Sequence, residues 1–241
     1  MTKTILITRP KGDEIELRDA LLEQGYRVIC EPLTEIFLNH TVRIEVENAL
    51  LAEPDCVLIT SKHGVQSLAM LTYLRDMFLL CVGKNTAELA IDLGFTRVSY
   101  AGATIEQMLG YVKDCYDEGA RFLYISGEHI NTDIGQVLAT QDMAVERIIA
   151  YQAIATEELS DTLIEQLKRG QIDGVSFMSP RAAQIFISLA QKNNLIKHLQ
   201  EIDAFCLSES IAQACEISAW NGIYISDEPT LASMIEKINS W

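Results

Sequence analysis

The stretch Asp55-Cys56-Val57-Leu58-Ile59-Thr60-Ser61-Lys62-His63-Gly64-Val65-Gln66 decides how this chain is read. A short apolar run, Cys56 to Ile59, passes through a small polar pair into an amphipathic segment. That reads as a buried strand feeding a helix, with Ser61 as the N-cap. The pattern returns 118 residues later without a gap: Asp55, Val57, Ser61, Gln66 and Leu71 land on Asp173, Val175, Ser179, Gln184 and Leu189. Upstream, at an offset of 117, Leu6, Leu17, Leu21 and Val28 land on Leu123, Ile134, Leu138 and Val145. Downstream, at 126, Thr104 and Met108 land on Thr230 and Met234. The jump from 118 to 126 predicts a longer loop around Gln191–Gln200. A repeat of this period means two similar structural units.

Around these anchors, short apolar runs alternate with helix-length amphipathic segments, the pattern of βαβ units and parallel sheets. Strands are predicted at Thr4–Thr8, Arg27–Cys30, Cys56–Thr60, Phe78–Val82, Arg97–Tyr100, Arg121–Ile125, Gly174–Met178, Phe205–Leu207 and Ile223–Ile225. Their lack of alternation fits burial on both faces. Ile15, Leu17, Leu21 and Leu22 predict one apolar helix stripe; Leu159, Leu163, Ile164 and Leu167 predict another. Ser179 precedes Pro180, which suits a first helical turn. Thr104 and Thr230 are the expected caps of the last helix in each repeat. Two extended segments, near 31–40 and 147–156, break the alternation and are candidate crossings between lobes. The periodicity itself leaves two connectivities open: a clean division near residue 117, or a chain that crosses twice.

The composition, 49% hydrophobic and 22% charged over 241 residues, is that of a globular chain. A net charge of −15 argues against nucleic acid and anionic membrane surfaces as partners. No apolar run approaches the ~20 residues of a membrane span. Thr4–Thr8, followed by Arg9, is too short for a signal-peptide core, so a cytoplasmic location is expected. The six cysteines, Cys30, Cys56, Cys81, Cys115, Cys206 and Cys215, lack metal-ligand spacing. Reduced, mostly buried thiols and no metal are expected. His40, His63, His129 and His198 are scattered and read as surface or loop residues. Phosphate-loop, dinucleotide, zinc-protease and nucleophile-elbow motifs are all missing from the sequence.

What remains is a set of strand-to-helix loops with small polar residues. They are Thr8-Arg9-Pro10, Thr60-Ser61-Lys62, Val82-Gly83-Lys84-Asn85-Thr86, Ser126-Gly127-Glu128, Met178-Ser179-Pro180-Arg181 and Leu207-Ser208-Glu209-Ser210. In an open α/β sheet such loops lie at the carboxyl ends of the strands, where ligands bind. Helix N-termini there hold carboxylates or phosphates with unpaired N–H groups and a partial positive charge. Taken singly, each Ser or Thr is an ordinary helix cap; the set, present in both repeats, points to a polyanionic small molecule held in a cleft between two lobes.

Over nearly its whole length the chain resembles the uroporphyrinogen-III synthase family. The resemblance rests on Ile5-Leu6-Ile7-Thr8-Arg9-Pro10 with Gly25 and Pro32-Leu33, on Leu58-Ile59-Thr60-Ser61-Lys62-His63-Gly64-Val65, on Val82-Gly83-Lys84-Asn85-Thr86-Ala87, on Ile148–Ala153 around Tyr151, and on Phe177-Met178-Ser179-Pro180-Arg181-Ala182-Ala183. The chain departs from the family where many members carry Gly-Pro-Thr-Thr in place of Leu207-Ser208-Glu209-Ser210, and Arg-Gly in place of Ser126-Gly127.

The resemblance implies an α/β fold of two flavodoxin-like lobes with parallel sheets, joined by a two-stranded crossing. One lobe would combine residues 1–34 with 156–241, the other would hold 38–150. It implies a cofactor-independent cyclising lyase that closes hydroxymethylbilane, a linear tetrapyrrole, to uroporphyrinogen III with inversion of ring D and loss of water. A monomer is expected. Tyr151 is the candidate acid for the departing hydroxyl or, equally, a hinge brace. Arg9, Ser61, Lys62, Gly83, Lys84, Thr86, Ser126, Gly127, Ser179, Arg181, Ser208 and Ser210 are the candidate substrate-binding residues. Two other readings stay open from the residues alone: a non-catalytic two-lobed cytosolic sensor for a polyanionic small molecule, and a flavodoxin-like redox domain.

Overall fold

The structure, a computed structural model, describes residues 2–130 and 132–241. Its strands are β1 (Thr4–Ile7), β2 (Arg27–Cys30), β3 (Thr34–Leu38), β4 (Cys56–Ile59), β5 (Phe78–Cys81), β6 (Arg97–Tyr100), β7 (Arg121–Gly127), β8 (Ala144–Ala155), β9 (Gly174–Phe177), β10 (Asp203–Cys206) and β11 (Gly222–Ile225). Its helices are α1 (Ile15–Glu23), α2 (Arg43–Leu51), α3 (Lys62–Leu71), α4 (Lys84–Asp92), α5 (Ile105–Cys115), α6 (Ile134–Ala139), α7 (Asp161–Lys168), α8 (Pro180–Lys192), α9 (Ile196–Leu199), α10 (Glu209–Cys215) and α11 (Leu231–Asn239). The chain divides into two compact units, Met1–Glu35 with Ile154–Trp241, and Ile36–Ala153. They are called here the discontinuous and the continuous unit.

The discontinuous unit holds a sheet in the order β11-β10-β9-β1-β2. All its pairings are parallel. Strand β1 lies beside β9, with Leu6 opposite Val175, and not beside β4. That pairing decides between the two connectivities the periodicity left open. Alternate residues of β1 serve opposite faces. Leu6 packs with Val175, Phe177 and Phe186 under α7, α8 and α10. Ile5 and Ile7 pack with Leu17, Leu21, Phe205 and Met234 under α1 and α11.

The continuous unit holds the order β3-β8-β7-β4-β5-β6. If β3 is set aside, this is the same arrangement as the first sheet, with β7 and β8 standing where β1 and β2 stand. Each unit is therefore assembled from one βαβ piece of one repeat and three strands of the other. Val57 and Ile59 face α2, α3 and α4, while Cys56 and Leu58 face α5 and α6.

One small device repeats with the fold. Asp55 donates its N–H to the Arg121 carbonyl, and its carboxylate accepts the Arg121 N–H at 2.8 Å. At the equivalent place Asp173 donates to the Thr4 carbonyl and accepts the Thr4 N–H at 2.6 Å. Each Asp thus joins the first strand of a βαβ piece to the strand it must find.

The expected caps are in place. Ser61, Thr104, Ser179 and Thr230 each accept a backbone N–H at the start of their helices, and Pro180 occupies the first turn of α8. Thr104 is reinforced by Gln107, whose side chain reaches back to the Thr104 N–H. Thr104→Ala is expected to cost about 1 kcal/mol, read as a lower denaturation midpoint. A loss within error would mean that tertiary packing alone holds the start of α5.

Several sequence expectations need correction. Ile15 and Leu22 are 47% and 50% exposed, so the apolar stripe of α1 narrows to Leu17 and Leu21. A nine-residue helix against one sheet face has room for only two full turns of contact. The strand expected at Phe205–Leu207 is Asp203–Cys206, because the buried Asp203 is tolerated through hydrogen bonds from Asn221 and Trp241. The segment Gln191–Gln200 is largely the end of α8 and the short α9, not a loop. β2, β6 and β11 lie at or near sheet edges and are only partly buried, unlike the fully buried β1, β4, β9 and β10.

Candidate functional site

A polar cluster of the continuous unit lies where β4 and β7 end beside β8. Strand β4 delivers Thr60 and Ser61 to the start of α3. The Ser61 hydroxyl accepts the Gly64 N–H at 3.2 Å and sits 2.8 Å from the Tyr151 hydroxyl. Tyr151 arrives there through an irregularity in β8. Ser126 pairs with Ile149, but Gly127 pairs with Tyr151, so Ala150 is an extra residue. A bulge of this kind re-aims the side chain that follows it. Ile148 and Ala150 face α2, α3 and α4; Tyr151 follows them to that side instead of alternating away.

Gly127 makes room for this phenol. A Cβ at Gly127 would lie 2.7 Å from the Tyr151 ring, so only glycine allows the approach. The His63 ring is 5.7 Å from that of Tyr151, centre to centre, at 57°. Burial pushes the Tyr151 hydroxyl above its ordinary pKa, while hydrogen bonds from Ser61 and the Gly127 backbone pull the other way. The group is therefore a neutral hydrogen-bond donor across the physiological range.

On the other side of the same strands, the Tyr124 hydroxyl is 3.0 Å from Thr60 Oγ1. Arg147, paired with Tyr124 across the sheet, reaches along the strands toward their ends. Its Nε donates to Ser126 Oγ, and its Nη2 donates to the carbonyls of Gly127 and Glu128, each at 2.8 Å. Ser126, a candidate ligand residue, is buried with its hydroxyl engaged by Arg147.

The next strand, β5, leads into Gly83, Lys84 and Thr86. Gly83 has φ +79°, a left-handed backbone that favours glycine at the entry to α4. Thr86 is buried in the first turn, and the exposed Lys84 pairs with Glu88 at 3.3 Å. Lys62 is half-buried, with no ion pair among the described residues.

In the discontinuous unit, β1 ends at Thr8, whose hydroxyl donates to the Ser176 carbonyl at 2.9 Å. Arg9 follows, 4.0 Å from Asp13. After β9, Ser179 caps α8, and Arg181, partly buried, makes no ion pair among the described residues. After β10, the Ser208 and Ser210 hydroxyls bond each other at 3.0 Å, and Ser208 does not cap α10 with its side chain.

The structure thus brings Ser61 and Gly127 each into contact with Tyr151. It leaves Lys84 and Thr86 on a separate loop of the same unit, and Arg9, Ser179, Arg181, Ser208 and Ser210 on the three loops of the other. Sequence reasoning missed Tyr124 and Arg147. An arginine just before the apolar run Ile148-Ile149-Ala150 was the available signal for the second.

The comparisons with known proteins bear on this arrangement. A family model described as "Uroporphyrinogen-III synthase HemD" matches residues 15–236. A curated relative from Ruminiclostridium josui, "Porphyrin biosynthesis protein HemD", is 24% identical over 97% of this chain. The chain spans about half that relative's length, 47%. Two solved structures share the fold. The uroporphyrinogen-III synthetase of Helicobacter pylori has a TM-score of 0.64 at 16% identity, covering 100% of this chain and 99% of its own. A mutant uroporphyrinogen III synthase of Thermus thermophilus has a TM-score of 0.63 at 15% identity, covering 99% and 98%. With its model matched along nearly the full length, the chain belongs to the uroporphyrinogen-III synthase family.

Proposed function

We propose that the chain converts hydroxymethylbilane to uroporphyrinogen III, with Tyr151 as the proton donor to the departing hydroxyl. The observation that carries the reading is the hydroxyl pair between Ser61, just past the carboxyl end of β4, and Tyr151, on β8 opposite the last residue of β7. It stands in a chain of the uroporphyrinogen-III synthase family, which supports a catalytic reading over a purely binding one.

The reaction balances without an oxidant or reductant. A hydroxyl leaves the terminal methylene as water, taking one proton, and an electrophilic azafulvene remains. Ring D attacks it through its substituted carbon. The resulting spiro intermediate fragments and recloses with the ring inverted, and a proton is released. Little acid or base strength is needed. The larger task is to bend the linear substrate so that the substituted carbon, not the free one, meets the electrophile.

The substrate is rich in carboxylates while the protein carries −15, so long-range attraction does not recruit it. Local recognition is supported by the helix starts behind Ser61, Gly83, Lys84, Thr86 and Ser179, and by Arg9, Lys62 and Arg181 beside them. Ser208 and Ser210, with hydroxyls satisfied mainly by each other, are proposed to turn toward substrate. Ser126 and Gly127 are proposed to serve it through Tyr151 and through backbone groups. The reading extends to a monomeric cytosolic enzyme without nucleic-acid partners, supported by the acidic charge and six free cysteines. Among the described residues no helix is long and apolar enough to cross a membrane.

The test is direct. Purified protein incubated with hydroxymethylbilane should yield the type III porphyrinogen, separated by chromatography after oxidation. Unaided closure gives the type I isomer. Folded protein that leaves only type I product would overturn the assignment.

A further inference from the structure

We infer that Arg147 is a positioning residue for Tyr151, acting from the opposite face of β8 through the backbone of the segment Ser126–Glu128; this rests on the reading of Tyr151 as proton donor.

Three observations carry it. First, one guanidinium spans three successive residues. It holds a buried hydroxyl and two carbonyls, each at 2.8 Å, within a single planar fork. The fork's geometry fixes its acceptors relative to one another, which a single-point cation cannot do. Second, the clamped segment is the support of the phenol. Gly127 lies against the Tyr151 ring so closely that no Cβ fits, and the Glu128 N–H donates to the Tyr151 carbonyl at 3.0 Å. Ring and backbone of Tyr151 thus both rest on residues that Arg147 holds. Third, Arg147 lies on the other side of the strand. It stands opposite Tyr124, which faces α5 and α6, whereas Tyr151 meets Ser61 above α3. The bulge at Ala150 makes this division possible. Four residues apart, regular alternation would have put both side chains on one face.

The bulge alone does not lock the phenol. An extra residue interrupts the regular ladder where it occurs, even though the Ala150 carbonyl accepts the Asn39 N–H at 2.8 Å. The tripartite clamp restores rigidity at that point. A catalytic hydroxyl gains from this because a displacement of about 1 Å can cost on the order of a hundredfold in rate.

The test is a double-mutant cycle with Tyr151→Phe, backed by a spectroscopic readout. Arg147→Ala is expected to lower kcat about tenfold with KM within about twofold, the signature of an interaction realised in the transition state. In the Tyr151→Phe background the same substitution should cost less than about twofold, since the hydroxyl it positions has already gone. Arg147→Lys keeps the charge but not the fork, and should follow the alanine variant; it also stands in if the alanine variant fails to fold. Protein labelled with ¹³C at the tyrosine Cζ carries eight such signals. The one lost in Tyr151→Phe identifies Tyr151, and it should shift or broaden in Arg147→Lys. Additive losses, a KM effect with unchanged kcat, full activity in the lysine variant, or an unmoved Tyr151 signal would each overturn the proposal. If the wild-type protein gave only the type I isomer, the reading of Tyr151 as donor would fall instead. The tyrosine signal would still decide whether Arg147 sets the ring's position.

Discussion

Replacing Tyr151 by Phe is expected to lower turnover ~10–100-fold, the scale of one transition-state hydrogen bond in a partly solvated site. The ring stays, so its contact with Gly127 and its place above α3 stay too. KM should change little, because the proposed role of the hydroxyl is on the leaving group and not in holding carboxylates. The pH dependence has a definite sign. Burial raises the pKa of this phenol, so it remains protonated up to and beyond the ordinary tyrosine value of about 10. A rate that needs the protonated form should therefore show no loss from Tyr151 through neutral and mildly alkaline pH. By comparison Ser61→Ala should cost less than Tyr151→Phe, since the backbone N–H groups at the start of α3 remain. Steady-state kinetics on variants checked by circular dichroism decides the matter. Abolished turnover with intact substrate binding would mean a dedicated acid on which the reaction depends wholly, and the positioning account would be wrong.

The second large effect concerns stability. Phe205→Ala is expected to cost ~3–5 kcal/mol, the usual range for emptying a buried aromatic site. Phe205 is fully buried on β10. It stacks on Tyr224 at 5.4 Å and meets Trp241 edge-on at 5.0 Å. Trp241 is in turn held by the Asp203 carboxylate, and Lys3 lies 3.4 Å above its ring. Removing Phe205 therefore leaves a cavity and takes away the edge-on partner of the Trp241 ring. Both tryptophans, Trp220 and Trp241, belong to the discontinuous unit, so their fluorescence during urea denaturation reports that unit. A midpoint shift equivalent to less than about 1 kcal/mol would show that the site collapses around the smaller side chain.

The sequence read well where local rules are strong. Apolar runs such as Cys56–Ile59 and the caps Ser61, Thr104, Ser179 and Thr230 are decided by burial and by hydrogen bonding within one turn, and both leave marks in the residues themselves. Edge and centre are not decided locally. Arg27–Cys30 and Gly174–Phe177 look alike as strings, but one lies at a sheet edge and the other at the middle. The candidate site divides in the same way. Ser61 and Tyr151 were legible through motif and spacing. The role of Arg147 was not, because it depends on a bulge that no periodicity announces and on a fork spanning two strands. Ser126 has a partner that the sequence does not announce. Its hydroxyl, near the end of β7, accepts a bond from the Arg147 guanidinium.

The interleaved order of the strands has a consequence for how the molecule comes into being. Translation delivers β1 first, but its central partner β9 is about 170 residues behind, with Leu6 opposite Val175. At the usual pace of synthesis that is a wait of roughly ten to thirty seconds. The continuous unit needs no such wait and can close once β8 has left the ribosome. During the interval the first 35 residues trail as a βαβ fragment with an open, apolar sheet edge. Such an edge invites strand addition from other chains. The discontinuous unit is thus most exposed to aggregation while the continuous unit is already closed.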